Sequence, residues 1–158
     1  MDLWYCGCLS HSKIVETSMN TVILSVEKTR ELDRCATEKF GIPPLILMEN
    51  AGRSVAEKVD NLLAQNVNEK AKIVVVTGAG NNAGDGFVAA RHLFQKDRRV
   101  LVLTTTPEEN LKGEAALNYR IIKTIGLEIQ TYTHLNDLQR HISNFHSVIL
   151  DAMLGTGF

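Results

Sequence analysis

Nine residues, Gly78-Ala79-Gly80-Asn81-Asn82-Ala83-Gly84-Asp85-Gly86, combine four glycines with two asparagines and an aspartate. Glycine lets backbone N–H groups approach a ligand with no Cβ in the way. Asn81 and Asn82 add both amide donors and carbonyl acceptors. Asp85 is a candidate cap for a following helix, whose positive end attracts phosphate. A second such stretch is Asp151-Ala152-Met153-Leu154-Gly155-Thr156-Gly157-Phe158. Its carboxylate follows an apolar run, where it is costly unless a donor or cation meets it. Hard cations take oxygen ligands, and the Asp151 carboxylate with an Asn82 carbonyl would supply two. Gly155-Thr156-Gly157 offers further N–H groups to a phosphate. Each stretch also has a purely structural explanation, a tight turn in the first and an Asp-capped turn in the second.

Gly78-x-Gly80-x-x-Ala83 satisfies the general dinucleotide fingerprint, whose third position tolerates Ala. That fingerprint wants an acidic residue about 20 positions on, at the tip of the next strand, to hold a ribose. The tip here reads Thr104-Thr105-Thr106-Pro107, and Glu108 comes late. No Gly-Lys-Ser/Thr occurs, which excludes a Walker A loop.

The flanking elements place both stretches at the carboxyl ends of strands. Lys72–Thr77, Arg99–Thr104 and Ser147–Asp151 are short apolar, β-branched runs, and Glu128–Tyr132 is a weaker one. Helices are expected from Ser25 to Gly41, Leu45 to Leu63, Gly86 to Gln95, Leu111 to Ile125 and Leu135 to Ser143. In the first, Val26, Leu32, Ala36 and Phe40 share helical spacing, and in the second Leu47, Ala51, Val55 and Val59 do. Glu49 and Asn50 read as caps or as ligand-facing groups. Strand–helix alternation predicts an α/β fold, a doubly wound, mostly parallel sheet covered on both faces. Open sheets of this kind bind ligands at their carboxyl ends near a switch in strand order.

Composition narrows the partners. With 158 residues, 44% hydrophobic and 22% charged, the chain is sized for one domain. A net charge of −1 favours neither nucleic acid nor an anionic membrane, and no apolar run approaches the ~20 residues of a spanning helix. Three cysteines, Cys6, Cys8 and Cys35, make no disulfide framework, and Cys6, Cys8 and His11 lack the second ligand pair of a structural zinc site. Residues 1–20 read as a poorly structured leader without signal- or transit-peptide character, so the cytoplasm is the default compartment, with mitochondria left open. His92, His134, His141 and His146 read as surface or satisfied histidines because no orienting partner is visible.

Three segments taken together resemble the YjeF N-terminal domain family, the NAD(P)H-hydrate epimerases. They are Leu47-Met48-Glu49-Asn50-Ala51-Gly52-Arg53, Gly80-Asn81-Asn82-Ala83-Gly84-Asp85-Gly86-Phe87-Val88-Ala89-Ala90-Arg91, and Asp151-Ala152-Met153-Leu154-Gly155-Thr156-Gly157. The resemblance runs from about Val22 to Phe158, with the domain taken as residues 21–158. It implies a Rossmann-like three-layer αβα sandwich that interconverts the R and S epimers of hydrated NADH or NADPH, alongside an S-specific dehydratase. It further implies that Asn81, Asn82, Ala83, Gly84 and Asp85 contact the hydrate, and that Gly155, Thr156, Gly157 and Phe158 bind its phosphates. Asn82 and Asp151 would ligate a potassium ion. Asp151 is also the candidate acid/base. A homodimer is the oligomer weighed.

Two departures from the pattern stand out: Ala83 where the family usually has Gly, and an expected incompleteness. Family domains continue through further strands carrying another substrate-binding Asp and a potassium-ligating Ser, so the last strands are expected to be missing here. Two competing readings are a non-catalytic protein- or RNA-associated scaffold of the same fold and an ordinary NAD(P)-binding oxidoreductase domain. Asn82, Asp85 and Asp151 argue against the first, and the missing acidic strand tip argues against the second.

Overall fold

The computed structural model describes residues 15–16, 22–65, 71–134, 139–140 and 147–155. They fall in two units, Met1–Pro44 and Leu45–Phe158. In the first, β1 (Val15–Glu16) pairs antiparallel with β2 (Val22–Ile23), so the expected leader contains a short strand. Helix α1 (Val26–Glu38) starts where expected: Ser25 Oγ accepts the Lys28 N–H at 3.2 Å. Gly41, at φ +67°, follows the helix end, and the Ile42 N–H bonds back to the Ala36 carbonyl at 3.0 Å. Cys35 is the buried residue of α1, whereas Val26 and Phe40 are exposed. Phe40 lies beyond the last helical residue, so helical spacing does not set its direction.

In the second unit, α2 (Pro44–Gln65) begins with proline at its first position, where the missing N–H costs nothing. Its buried stripe is Met48, Gly52, Ala56, Val59 and Leu63. That is displaced from the expected Leu47, Ala51 and Val55, because Gly52 and Ala56 permit close packing and the bulkier neighbours face outward. Strand β3 (Lys72–Thr77) is followed by α3 (Asn81–Gln95), β4 (Val100–Thr104), a single 3-10 turn at Glu108–Asn110, α4 (Gly113–Thr124), β5 (Glu128–Thr131) and β6 (Ser147–Ala152). The helix expected over Leu135–Ser143 lies mostly outside the described residues.

The sheet order is β5-β4-β3-β6 with every pairing parallel, as the alternation requires. From β3 the chain moves outward through β4 to β5 and then returns to place β6 on the other side. The switch point therefore lies between the tips of β3 and β6, where Val76 pairs with Asp151 and Thr77 with Ala152. Alternate residues of β3 feed two clusters. Ile73 and Val75 join Ala56, Val59 and Leu63 of α2, Phe87, Ala90 and Leu93 of α3, and Tyr119 and Ile122 of α4. Val74 and Val76 join Leu101 and Leu103, with Tyr132 and Met153 packed against them. Burying each of the Val, Leu, Ile and Phe side chains among them contributes about 1.5–3 kcal/mol. Phe87, fully buried, also meets Tyr119 edge to face at 5.5 Å.

Helix α3 corrects the expected boundary: it begins at Asn81, not near Gly86. Gly80 is its N-cap, and the Ala83 and Gly84 N–H groups both bond the Gly80 carbonyl, at 3.0 and 3.3 Å. Gly86 is a packing residue inside the helix. A Cβ there would lie 2.7 Å from the Ala152 Cβ and 3.2 Å from the Thr77 Cγ2, so glycine lets α3 sit directly on β3 and β6. A glycine-dense stretch resembles a loop on paper, but close helix–sheet contact uses the same residue.

Candidate functional site

The helical start changes what Asn81 to Asp85 can do. Asp85 is the fifth residue of α3, half-buried, and does not cap it; Gly80 does, with no side-chain bond. Ala83 and Gly84 are buried, and their amides are used within the first turn. Among the described residues the N–H groups of Asn81 and Asn82 have no backbone partner, at the end where the helix dipole favours an anion. The Asn81 side chain is exposed and that of Asn82 half-buried.

The second stretch is brought against this turn. Asn82 Nδ2 donates to the Leu154 carbonyl at 2.9 Å. A Cβ on Gly155 would stand 3.3 Å from the Asn82 Cβ, and one on Gly78 would strike the Met153 carbonyl oxygen. The Gly78 N–H also reaches the Ala152 carbonyl, at 3.4 Å. Gly78 therefore allows the backbone after β6 to lie against the tip of β3. Among the residues expected at the site, Asn82 and Gly155 meet at this junction, Asn81 precedes Asn82 at the head of α3, and Asp151 lies on β6 opposite Val76 of β3. Thr156, Gly157 and Phe158 lie outside the described residues.

Asp151 differs from the expectation of a dry strand end. It is exposed because β6 is an edge of the described sheet. Its Oδ1 accepts the Met153 N–H at 3.0 Å, an Asx turn that satisfies one carboxylate oxygen. The second oxygen has no hydrogen-bond partner among the described residues. Tyr132, which sequence reasoning did not single out, approaches from the far side of the sheet. Its N–H bonds the Thr104 carbonyl at 3.0 Å, and its hydroxyl donates to Met153 Sδ at 3.4 Å. Burial, reinforced by the Asp151 carboxylate, raises the Tyr132 pKa, so the hydroxyl stays protonated at neutral pH. Thr77 Oγ1, beneath the same strand tips, is buried without a hydrogen-bond partner among the described residues.

Glu49 is not the cap expected, although it does line a cavity. It is the sixth residue of α2 and caps nothing. One of its oxygens pairs with Arg91 Nη2 and the other contacts His92 Nε2 at 2.7 Å. His92 therefore does have an orienting partner, and the pairs bolt α2 to α3. Nearby, Gly52 lies under Val88, where a Cβ would come within 2.5 Å. A cavity of about 300 Å³ opens beside this bolt, lined by Leu45, Ile46, Glu49, Arg91, Asn118 and Ile121. Its lining includes neither Asn82 nor Asp151, so it is separate from the strand-tip junction. His134 is exposed, and His141 and His146 lie outside the described residues.

Among the described residues no group of three or more His, Cys, Asp or Glu side chains could hold a metal ion. The oxygen atoms of Asn82 and Asp151 are of a different kind. With Asn82 Nδ2 committed to Leu154, its Oδ1 remains as an acceptor, and one Asp151 oxygen likewise has no hydrogen-bond partner among the described residues. Two hard oxygen atoms fit an alkali cation and not a soft metal. No helix among the described residues is long and apolar enough to cross a membrane.

A parallel sheet with a switch in strand order and helices packed against it defines an α/β fold of the doubly wound kind. A model of the family "YjeF-related protein N-terminus" matches residues 44–158, and the chain belongs to that family. Curated relatives include an NAD(P)H-hydrate epimerase from Rhodopirellula baltica, 35% identical over 85% of this chain and 52% of its own length. A second, from Pirellula staleyi, is 40% identical over 82% of this chain and 56% of its own. A bifunctional NAD(P)H-hydrate repair enzyme from Moorella thermoacetica is 33% identical over 86% of this chain and 26% of its own. The chain thus spans about half the length of the curated epimerases it matches. The crystal structure of yeast ynu0 superimposes with a TM-score of 0.73 at 27% identity, over 86% of this chain and 58% of that one.

Proposed function

We propose that this chain acts in the epimerisation of NAD(P)H hydrates, interconverting the R and S forms so that an S-specific dehydratase can restore NADH or NADPH. The observation that carries the reading is the Asn82–Leu154 hydrogen bond, which joins the N-terminus of α3 to the loop after β6 across the switch point. A dinucleotide needs a phosphate-binding helix end and a polar surface for its ring within one span, and the junction provides both. The names of the curated epimerases and of the bifunctional repair enzyme support the substrate class and the link to a dehydratase.

Epimerisation requires the C–O bond at the hydrated ring carbon to break and re-form on the other face, with a proton delivered to the leaving oxygen and recovered from the returning one. Asp151 is the group proposed to manage that proton or to stabilise the positive charge that develops on the ring. Its exposure here leaves its second oxygen accessible to a substrate. The N–H groups of Asn81 and Asn82 would hold phosphate, and the Gly155 backbone would face it.

Asn82 Oδ1 and Asp151 are proposed to hold a potassium ion, which when bound would supply positive charge at the site. Thermal unfolding in potassium against sodium chloride tests this without turnover, with a shift expected in wild type and absent in Asn82→Ala. A cytoplasmic site of action belongs to the same proposal. The activity test follows the R epimer of NADPH hydrate in the presence of an S-specific dehydratase, with and without the chain. Faster loss of the R epimer supports the reading; an unchanged rate favours a scaffold.

A further inference from the structure

Tyr132 occupies a position that neither the family motifs nor the phosphate-binding turn accounts for. It follows β5, three strands from β6 in the sheet, yet its hydroxyl ends at Met153, inside the loop that follows β6. Its ring lies on the Val74, Val76, Leu101 and Leu103 side, the opposite face from α3. Met153 thus stands between two polar groups. Its N–H holds the Asp151 carboxylate at 3.0 Å, and its sulfur holds the Tyr132 hydroxyl at 3.4 Å.

A thioether is a weak acceptor, and a phenol gives it up readily for a better one. The phosphate-binding donors sit at the head of α3, on the other side of the strand tips. In the proposed reading the pyrophosphate stays with those donors, and a dinucleotide lying across the switch point would carry its ring toward the face of Asp151 and Tyr132. We infer that Tyr132 is a ring-binding residue: on substrate binding its hydroxyl leaves Met153 Sδ and donates to an oxygen of the hydrated nicotinamide ring beside Asp151. This rests on the proposed epimerase reading and adds a specificity determinant to the same site.

The test compares binding of NADPH hydrate with binding of ADP-ribose, which has the pyrophosphate but no nicotinamide ring, by calorimetry on the wild-type chain, Tyr132→Phe and Met153→Leu. Tyr132→Phe keeps the ring packing and removes only the hydroxyl. The inference expects Tyr132→Phe to weaken hydrate binding about tenfold, the value of one hydrogen bond of about 1.4 kcal/mol, and to leave ADP-ribose binding unchanged. Met153→Leu removes the competing sulfur and should not weaken the hydrate. Equal weakening by both variants, or equal loss for both ligands, would make Tyr132 a strut for the loop and overturn the inference. No effect of Tyr132→Phe on the hydrate overturns it as well, with the epimerase reading intact. A wild-type chain that binds ADP-ribose but not the hydrate overturns both.

Discussion

Asn82 on the first turn of α3 donates its side-chain amide to the Leu154 carbonyl beyond β6 at 2.9 Å, a contact between residues 72 positions apart in sequence. One hydrogen bond of this kind contributes about 0.5–1.5 kcal/mol net. In the proposed reading its weight is greater, because it sets the spacing between the helix end proposed to hold phosphate and the Asp151 loop. Asn82→Ala is expected to lower stability by no more than about 1.5 kcal/mol while raising KM for the hydrate at least several-fold. Urea unfolding and steady-state kinetics on the same preparation check the two halves.

Gly86 lets α3 lie on β3 and β6, with the Ala152 Cβ 2.7 Å from where its own Cβ would be. Gly86→Ala puts a methyl into that space, and the helix propensity it gains, about 1 kcal/mol, opposes a steric cost of about 1–3 kcal/mol. Net destabilisation is expected in urea. Because β6 carries Asp151, hydrate binding should weaken along with it.

The strands, their parallel order and the placement of both polar stretches were legible in the sequence, since a continuous β-branched run such as Ile73–Val76 fits little else. The start of α3 was not. Gly84 and Gly86 looked like turn residues, and only the positions of Met48 and Ala152 against them reveal packing glycines. Tyr132 was invisible for a related reason: its importance comes from reaching Met153, and no local pattern encodes a contact across three strands. The Glu49–His92 pairing was missed likewise, because it joins two helices 43 positions apart.

Glu49 accepts from Arg91 and contacts His92, and both pairs are only partly buried. Glu49→Gln keeps the shape but loses the charge that holds Arg91, whose Nε is already buried without a partner among the described residues. A loss of about 1–2 kcal/mol is expected, discounted for solvent screening. Restoring wild-type stability with Glu49→Gln in the presence of Arg91→Met would show that the stranded guanidinium is the cause.

Asp60 carries an acid-side contribution. A hydrogen bond from Lys96 does most to hold its carboxyl below the usual carboxylate range; burial opposes it, and a hydrogen bond from Arg98 and the two positive charges add to the lowering. With the native pKa lowered, the unfolded chain binds more protons, so stability rises with pH across that window. The contribution is complete above the ordinary value near ~3.9 and is lost as pH falls through the lowered native value. Melting temperature measured between about pH 5 and pH 2 should therefore fall less steeply in Asp60→Asn than in wild type.

The most direct measurement of the central claim follows R-NADPH hydrate in potassium buffer with an excess of S-specific dehydratase, comparing the wild-type chain with Asp151→Ala. The account predicts that wild type speeds loss of the R epimer above its spontaneous rate and that Asp151→Ala does not. Loss at the spontaneous rate with both proteins, or equal acceleration by both, would contradict it.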